Sequence, residues 1–157
     1  MKDIPPLEMS IHVRCDVEAA FRLFTEGIAK WWPLSTHSVA QAQAKSVVFE
    51  GHIGGEIYEL TVDGGRDVWG TVLVWEPPRR VAFSWHPGRE EDTGQEVELR
   101  FQTAGDVTEV SLSHRGWENL GELGEKARAD YAQGWGNVFG RIFKEAADAV
   151  PGERPRP

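Results

Sequence analysis

Two polar residues sit where a strand pattern turns them toward an apolar interior. Glu56 is in phase with Tyr58, Leu60 and Val62, and His114 is in phase with Val110 and Leu112. A carboxylate or imidazole in such a place can orient a ligand, or move a proton once burial tunes its pKa. Each also has a plainer reading: Glu56 as a strand-end carboxylate in water, His114 as a hydrogen-bonded wall residue. Seven tryptophans in 157 residues supply the second chemical theme. Trp69 and Trp75 share the phase of Thr71 and Leu73, and Trp85 that of Val81 and Phe83. All three are expected to face a C-terminal helix that presents Tyr131, Trp135 and Phe139 in return. Trp31 and Trp32 are expected to close one end, with Trp117 near the start of that helix. An aromatic wall with a few polar groups is how small-molecule sites are built, although the same rings can simply fill a core. The expected site is a ligand cavity drawing on these groups, with no catalytic residue assigned.

Other chemistries lack their residues. The five histidines and one cysteine are far apart, with no H-E-x-x-H or C-x-x-C spacing, so neither metal nor cofactor is expected. There is no G-x-S-x-G, and Ser84, Ser111 and Ser113 fall in strands. Cys15 precedes a helix start, but adjacent Asp16 opposes a thiolate, which leaves a small buried hydrophobe. His12 and His86 read as solvent-facing, and Arg79-Arg80 as a solvated pair after a turn. Gly134, Gly136 and Gly140 lie within the helical stripe and are no dinucleotide fingerprint. Each costs about 1 kcal/mol relative to alanine in a helix interior. Close approach to a sheet is the first explanation, and ligand space or helix flexing the second.

The elements that must position these groups follow from period and punctuation. Leu7, Met9, Ile11 and Val13 alternate as a first strand, and Asp16 offers an N-cap to a helix carrying Val17, Ala20, Phe21 and Phe24. Gly27 splits that helical stretch in two and Pro33 ends it. Residues 34–45 are polar and aperiodic, a long connection. Strands are expected over 47–50, 56–62, 67–76, 79–86, 96–103 and 108–114, with turns at Asp63-Gly64-Gly65 and Ala104-Gly105-Asp106. From about Gly124 to Val150 the apolar residues Tyr131, Trp135, Val138, Phe139, Ile142 and Ala146 fall on one helical stripe. Strands before a terminal helix favour an α+β architecture in which a bent antiparallel sheet and a long helix cover each other's apolar faces.

Between Gly70 and Trp85 the chain reads GTVLVWEPPRRVAFSW, two strands around a turn forced by Pro77-Pro78. With a Gly-Gly strand before it and a Gly-Trp helix after it, this run resembles the START-like (SRPBCC) helix-grip superfamily. Within it, the sequence is most similar to the branch named after activators of a heat-shock chaperone ATPase. The resemblance spans nearly all of residues 5 to 148. It implies a sheet of six to seven strands wrapped around a long C-terminal helix, with two short helices after the first strand. Three functions follow from it. The first is binding of a small hydrophobic or aromatic molecule; the second is regulation of a chaperone ATPase. The third is polyketide cyclase- or aromatase-like conversion, with Glu56, Tyr58 and His114 as the residues to test. Binding is placed first, because eukaryotic activators carry a separate N-terminal domain that provides much of the chaperone contact.

Bulk properties narrow the partners. Seventeen basic against 25 acidic residues leave a net charge of −8, which argues against nucleic acid or an anionic membrane as partner. The start MKDIPPLEMS has no apolar signal core, and no run approaches the ~18 apolar residues of a membrane span. The expectation is a cytoplasmic monomer or homodimer, with one domain over 1–150 and a proline-rich disordered tail over 151–157.

Overall fold

The computed structural model describes residues 3–34, 36–40, 43–89 and 93–151. Residues 152–157 of the expected tail and residues 90–92 lie outside the described residues.

Strand β1 (Leu7–Val13) leads into α1 (Val17–Phe24), and a single 3₁₀ turn follows at Ile28–Lys30. Asp16 caps α1 as its sequence implies, its Oδ1 accepting the Ala19 N–H at 2.7 Å. Six strands come next: β2 (Ala44–Phe49), β3 (Glu56–Thr61), β4 (Arg66–Glu76), β5 (Arg80–Ser84), β6 (Glu96–Ala104) and β7 (Val107–Arg115). All neighbours are antiparallel, in the order β1-β7-β6-β5-β4-β3-β2. A 3₁₀ stretch, Trp117–Leu123, then feeds the C-terminal helix. That helix runs as α2 (Gly124–Asn137), a π-helical turn (Val138–Phe143) and α3 (Lys144–Asp148). The architecture is α+β helix-grip, a curled seven-stranded sheet closed by one long helix.

Alternation in β6 and β7 builds the core as the sequence predicts. Val97, Leu99 and Phe101 lie opposite His114, Leu112 and Val110, and all six are buried. On the outer face Glu98 is ringed by arginines: Arg80 hydrogen-bonds it, with Arg100 at 3.5 Å and Arg115 at 3.6 Å. Burial pushes the Glu98 carboxyl up, but these guanidinium groups outweigh it and hold its pKa below the ordinary carboxylate value. Arg80 is therefore part of an ion-pair network rather than a free surface cation, while Arg79 is exposed.

The expected phase fails in β3 and β4. Register shifts fall between Ile57 and Tyr58 on one side of β4, and between Val72 and Val74 on the other. Pairing passes from Gly70 to Val68 against β3, which leaves Trp69 as the extra residue. Leu73 is extra in the same way against β5 and is 47% exposed. A bulge turns a side chain to the other face and bends the strand. Trp69, Val72 and Trp75 thus all pack inward, three apart, where strict alternation would also have buried Leu73.

Gly70 marks where the bent strand crosses its neighbour. A Cβ there would lie 1.7 Å from the Ser84 carbonyl oxygen, so the backbones of β4 and β5 would have to separate. Gly70→Ala is expected to destabilise the fold by about 3 kcal/mol, at the upper end for overpacking. A denaturant midpoint within experimental error of the parent would contradict this.

The C-terminal helix also departs from regular spacing. The π turn gains a residue, so Phe143 and Ala147 are fully buried where Ile142 and Ala146 are only half-buried. Phe139 and Phe143 stack at 5.9 Å with nearly parallel rings. Among the described residues no helix is long and apolar enough to cross a membrane.

Candidate functional site

Between the sheet and the C-terminal helix lies a partly open cavity of about 410 Å³. Its deep wall is Trp69, from the β4 bulge, Trp85, just past β5, and Trp135 and Val138 from the helix. Trp32, Tyr131 and Gly134 form the sides, and His37, Ser38, Val39, Pro87 and Asp130 the mouth. The tryptophans are mutually locked. Trp32 meets Trp69 at 5.0 Å and Trp135 at 6.1 Å, and Trp85 meets Trp69 at 5.7 Å and Trp135 at 5.5 Å. Tilted and edge-to-face pairs of this kind are favoured aromatic geometries, each adding about 0.5–1.5 kcal/mol beyond area burial.

Trp135 is fixed by a polar chain behind it. Its indole N–H donates to His114 Nδ1 at 3.0 Å. An indole nitrogen only donates, so Nδ1 must be the unprotonated nitrogen, and Nε2–H donates to Gln95 Oε1 at 2.9 Å. The Gln95 amide nitrogen donates in turn to Thr93 Oγ1 at 3.0 Å. His114 is 0% exposed, paired with Leu7 and Val97 on flanking strands and covered by Trp117 at 4.0 Å and Tyr131 at 5.0 Å. Burial lowers its pKa to about 3, so it is a neutral imidazole with a defined tautomer. It does not line the cavity; it holds the residue that does.

The mouth is held by a carboxylate that the sequence phase concealed. Glu59 is 0% exposed and accepts the Val39 and Ala40 N–H groups at 2.7 and 2.6 Å. Trp32 ties the same strap from the other side, its indole N–H donating to the His37 carbonyl at 2.7 Å. Residues 36–40 of the connection expected to be polar and aperiodic therefore form a strap pinned at two points. Strap residues carry no periodic signal, so nothing local marked Ser38, while the expected phase of β3 put Glu59 on the outer face.

The structure places the sequence-predicted residues in four groups. Trp32, Trp69, Trp85, Tyr131 and Trp135 come together around the cavity. His114 and Trp117 stand behind it, and the Trp117 indole N–H donates to the His114 carbonyl at 2.8 Å. Trp31, Trp75 and Phe139 belong to the core at other points: Trp31 against Phe24 and Phe143, Trp75 against Phe21 and Phe49, and Phe139 against Phe143. Glu56 and Tyr58 lie on the outer face of β3, because Ile57 and Glu59 take the buried phase. There Arg66 pairs with Glu56 and covers the Tyr58 ring at 4.1 Å.

One further expectation changes. Close approach to the sheet does not explain the helix glycines, since a Cβ on Gly134, Gly136 or Gly140 would meet nothing within 4 Å. Only Gly134 of the three lines the cavity, where a methyl would take up ligand space. Gly136→Ala is expected to stabilise the protein by up to about 1 kcal/mol through helix propensity, without touching the cavity. Gly134→Ala should gain similar stability but weaken uptake of any cavity ligand. Thermal unfolding and ligand titration on both variants check this, and equal affinities would remove Gly134 from the site. Cys15 behaves as expected: burial, with Asp16 beside it, pushes its thiol up to about 11.

Comparison with known proteins places this geometry. No curated protein matches the chain at a significant level. Among solved structures, it is similar to the anthrahydroquino-γ-pyrone synthase Txn09, at 29% identity and TM-score 0.62, over 96% of this chain and 100% of that one. It is also similar to CalC, a self-sacrificing resistance protein from Micromonospora echinospora, at 25% identity and TM-score 0.70, over 92% and 94% of the two chains. The Aha1 dimer from Colwellia psychrerythraea shares the fold at 19% identity and TM-score 0.65, over 95% and 100%. The family model described as Activator of Hsp90 ATPase homolog 1-like protein matches residues 14–148. With that match over most of its length, and with the curled sheet and closing helix of the START-like superfamily, the chain belongs to the Activator of Hsp90 ATPase homolog 1-like family.

Proposed function

We propose that this chain binds a small, largely apolar aromatic molecule between the tryptophan wall and the C-terminal helix. The observation that carries the reading is the cavity itself: about 410 Å³, with Trp32, Trp69, Trp85 and Trp135 around it. That volume lies in the range of ligand sites, and rigid aromatic walls with a few polar groups at the mouth suit a flat ring system. Native mass spectrometry of the protein as purified, and again after denaturation, tests it. An added small mass that leaves on denaturation is the expected result. A bare 17.6 kDa chain in both states, with no thermal shift from a panel of two- and three-ring aromatics, overturns the reading.

A second reading, conversion of an aromatic substrate, is favoured by the 29% identity to a synthase. Glu56 and Tyr58 face away from the cavity and His114 stands behind it, so chemistry would fall to His37, Asp130 and Tyr131 on its lining. Burial raises the Tyr131 phenol above its ordinary pKa, which keeps it a proton donor at neutral pH. A Tyr131→Phe variant that binds ligand but turns over no substrate separates conversion from carriage. Regulation of a chaperone ATPase, which the family's name carries, is a third proposal. An unchanged ATPase rate on titration removes it.

A further inference from the structure

The cavity is bounded by parts held with very different firmness. Trp69, Trp135 and Val138 are buried side chains of β4 and the C-terminal helix. Pro87 sits in a turn whose backbone is fastened to β4, the His86 N–H donating to the Trp69 carbonyl at 2.6 Å. His37, Ser38 and Val39 belong to the strap, and none of residues 36–40 is fully buried. Val39 is 38% exposed although it is apolar, and Ser38 Oγ makes no hydrogen bond that would hold the segment. Apart from local bonds to Pro33 and Gln43, three hydrogen bonds tie the strap to the rest of the fold among the described residues. A segment with few buried apolar contacts and few ties opens at a lower free energy than the strands and helices around it.

We infer that the strap over residues 36–40 is the entry gate of the cavity, latched by Glu59 and drawn shut by an occupant through Trp32. This rests on the cavity-binding reading above and adds how that site fills and empties. The two latches differ in what they sense. Glu59 is 0% exposed and absent from the cavity lining, so an occupant does not touch it. One of its oxygens takes the Val39 N–H and the other the Ala40 N–H. A carboxylate can accept at both oxygens in this way, whereas an amide in its place would turn a donor against one of the two N–H groups. Trp32, in contrast, lines the cavity and also donates to the His37 carbonyl, with its ring against Trp69 and Trp135. A flat molecule lying against Trp32 restrains the ring that holds the strap, so occupancy and closure favour each other. Glu59 thus sets how often the empty cavity opens, and Trp32 how firmly the filled one stays closed.

The test joins amide hydrogen exchange to the kinetics of dansylamide, an uncharged two-ring aromatic that accepts excitation from tryptophan and so reports entry and exit by stopped flow. In the parent protein the Val39 and Ala40 amides are expected to exchange at least tenfold faster than the core amides of β6 and β7, and saturating dansylamide should slow them at least threefold. Glu59→Gln should speed exchange at both amides and raise the association and dissociation rates of dansylamide together by about fivefold or more. Its affinity should stay within threefold, because the strap remains mostly closed. Trp32→Phe keeps a ring on the wall but loses the N–H, so dansylamide should no longer slow strap exchange. Val39 and Ala40 amides that exchange in the parent only through global unfolding overturn the gate, whether or not either variant folds. Faster strap exchange in Glu59→Gln with parental dansylamide rates also overturns it and leaves the cavity reading standing. Binding of neither dansylamide nor the aromatic panel overturns both.

Discussion

Trp135→Ala is expected to destabilise the protein by about 4 kcal/mol, the cost of removing a buried aromatic side chain, and to abolish ligand uptake. Three effects act together. The indole is 2% exposed and touches Trp32 and Trp85, so its loss opens a hole that the locked tryptophans cannot collapse into. Its N–H leaves His114 Nδ1, so a buried acceptor loses its partner. The cavity loses its helix-side wall and merges with the new void. A drop in melting temperature of roughly 10 °C corresponds to that loss at this chain length. Trp135→Phe keeps most of the wall and removes only the hydrogen bond, so it should fall between parent and alanine variant. A Trp135→Ala protein with parental melting temperature and ligand affinity would show that this ring neither supports the core nor bounds the site.

Acid lability is the second large effect, and it follows from His114. The imidazole is held at a pKa of about 3 by burial, against an ordinary value near 6.5 in the unfolded chain. Between these values the unfolded chain binds one more proton than the folded one, so stability rises with pH across that window. The protein keeps its full stability above about pH 6.5 and loses about 1.4 kcal/mol for each pH unit below it, down to about pH 3. Unfolding free energies measured from pH 7 to pH 4 should show this slope, and His114→Gln should make it shallower. Glu98, whose pKa is held low by its arginines, also loses stabilisation in acid, but that part persists in the variant. Imidazole signals of His114 that titrate near pH 6, or identical slopes for parent and variant, would refute the assignment.

The amino-acid sequence by itself determined whatever depends on local period and punctuation. Asp16 caps a helix because its side chain reaches an N–H three residues on. The strict alternation of β6 and β7 sends His114 inward beside Leu112, and Gly27 separates α1 from the 3₁₀ turn that follows. The stripe through Tyr131 and Trp135 announced the closing helix and the side of it that meets the sheet. Only the tertiary structure decided which residues meet in the cavity. Phase in β3 and β4 depends on bulges at Trp69 and Leu73, which arise from pairing with partner strands and leave no periodic trace. A one-residue slip exchanges the faces, so Glu59 is buried and Glu56 is not. The strap over the mouth is likewise set by Glu59 and Trp32, groups distant in sequence from the backbone atoms they hold. The tryptophans were legible as a set. Which of their N–H groups would find a partner was settled by long-range packing, because a hydrogen bond requires two groups that the chain alone does not bring together.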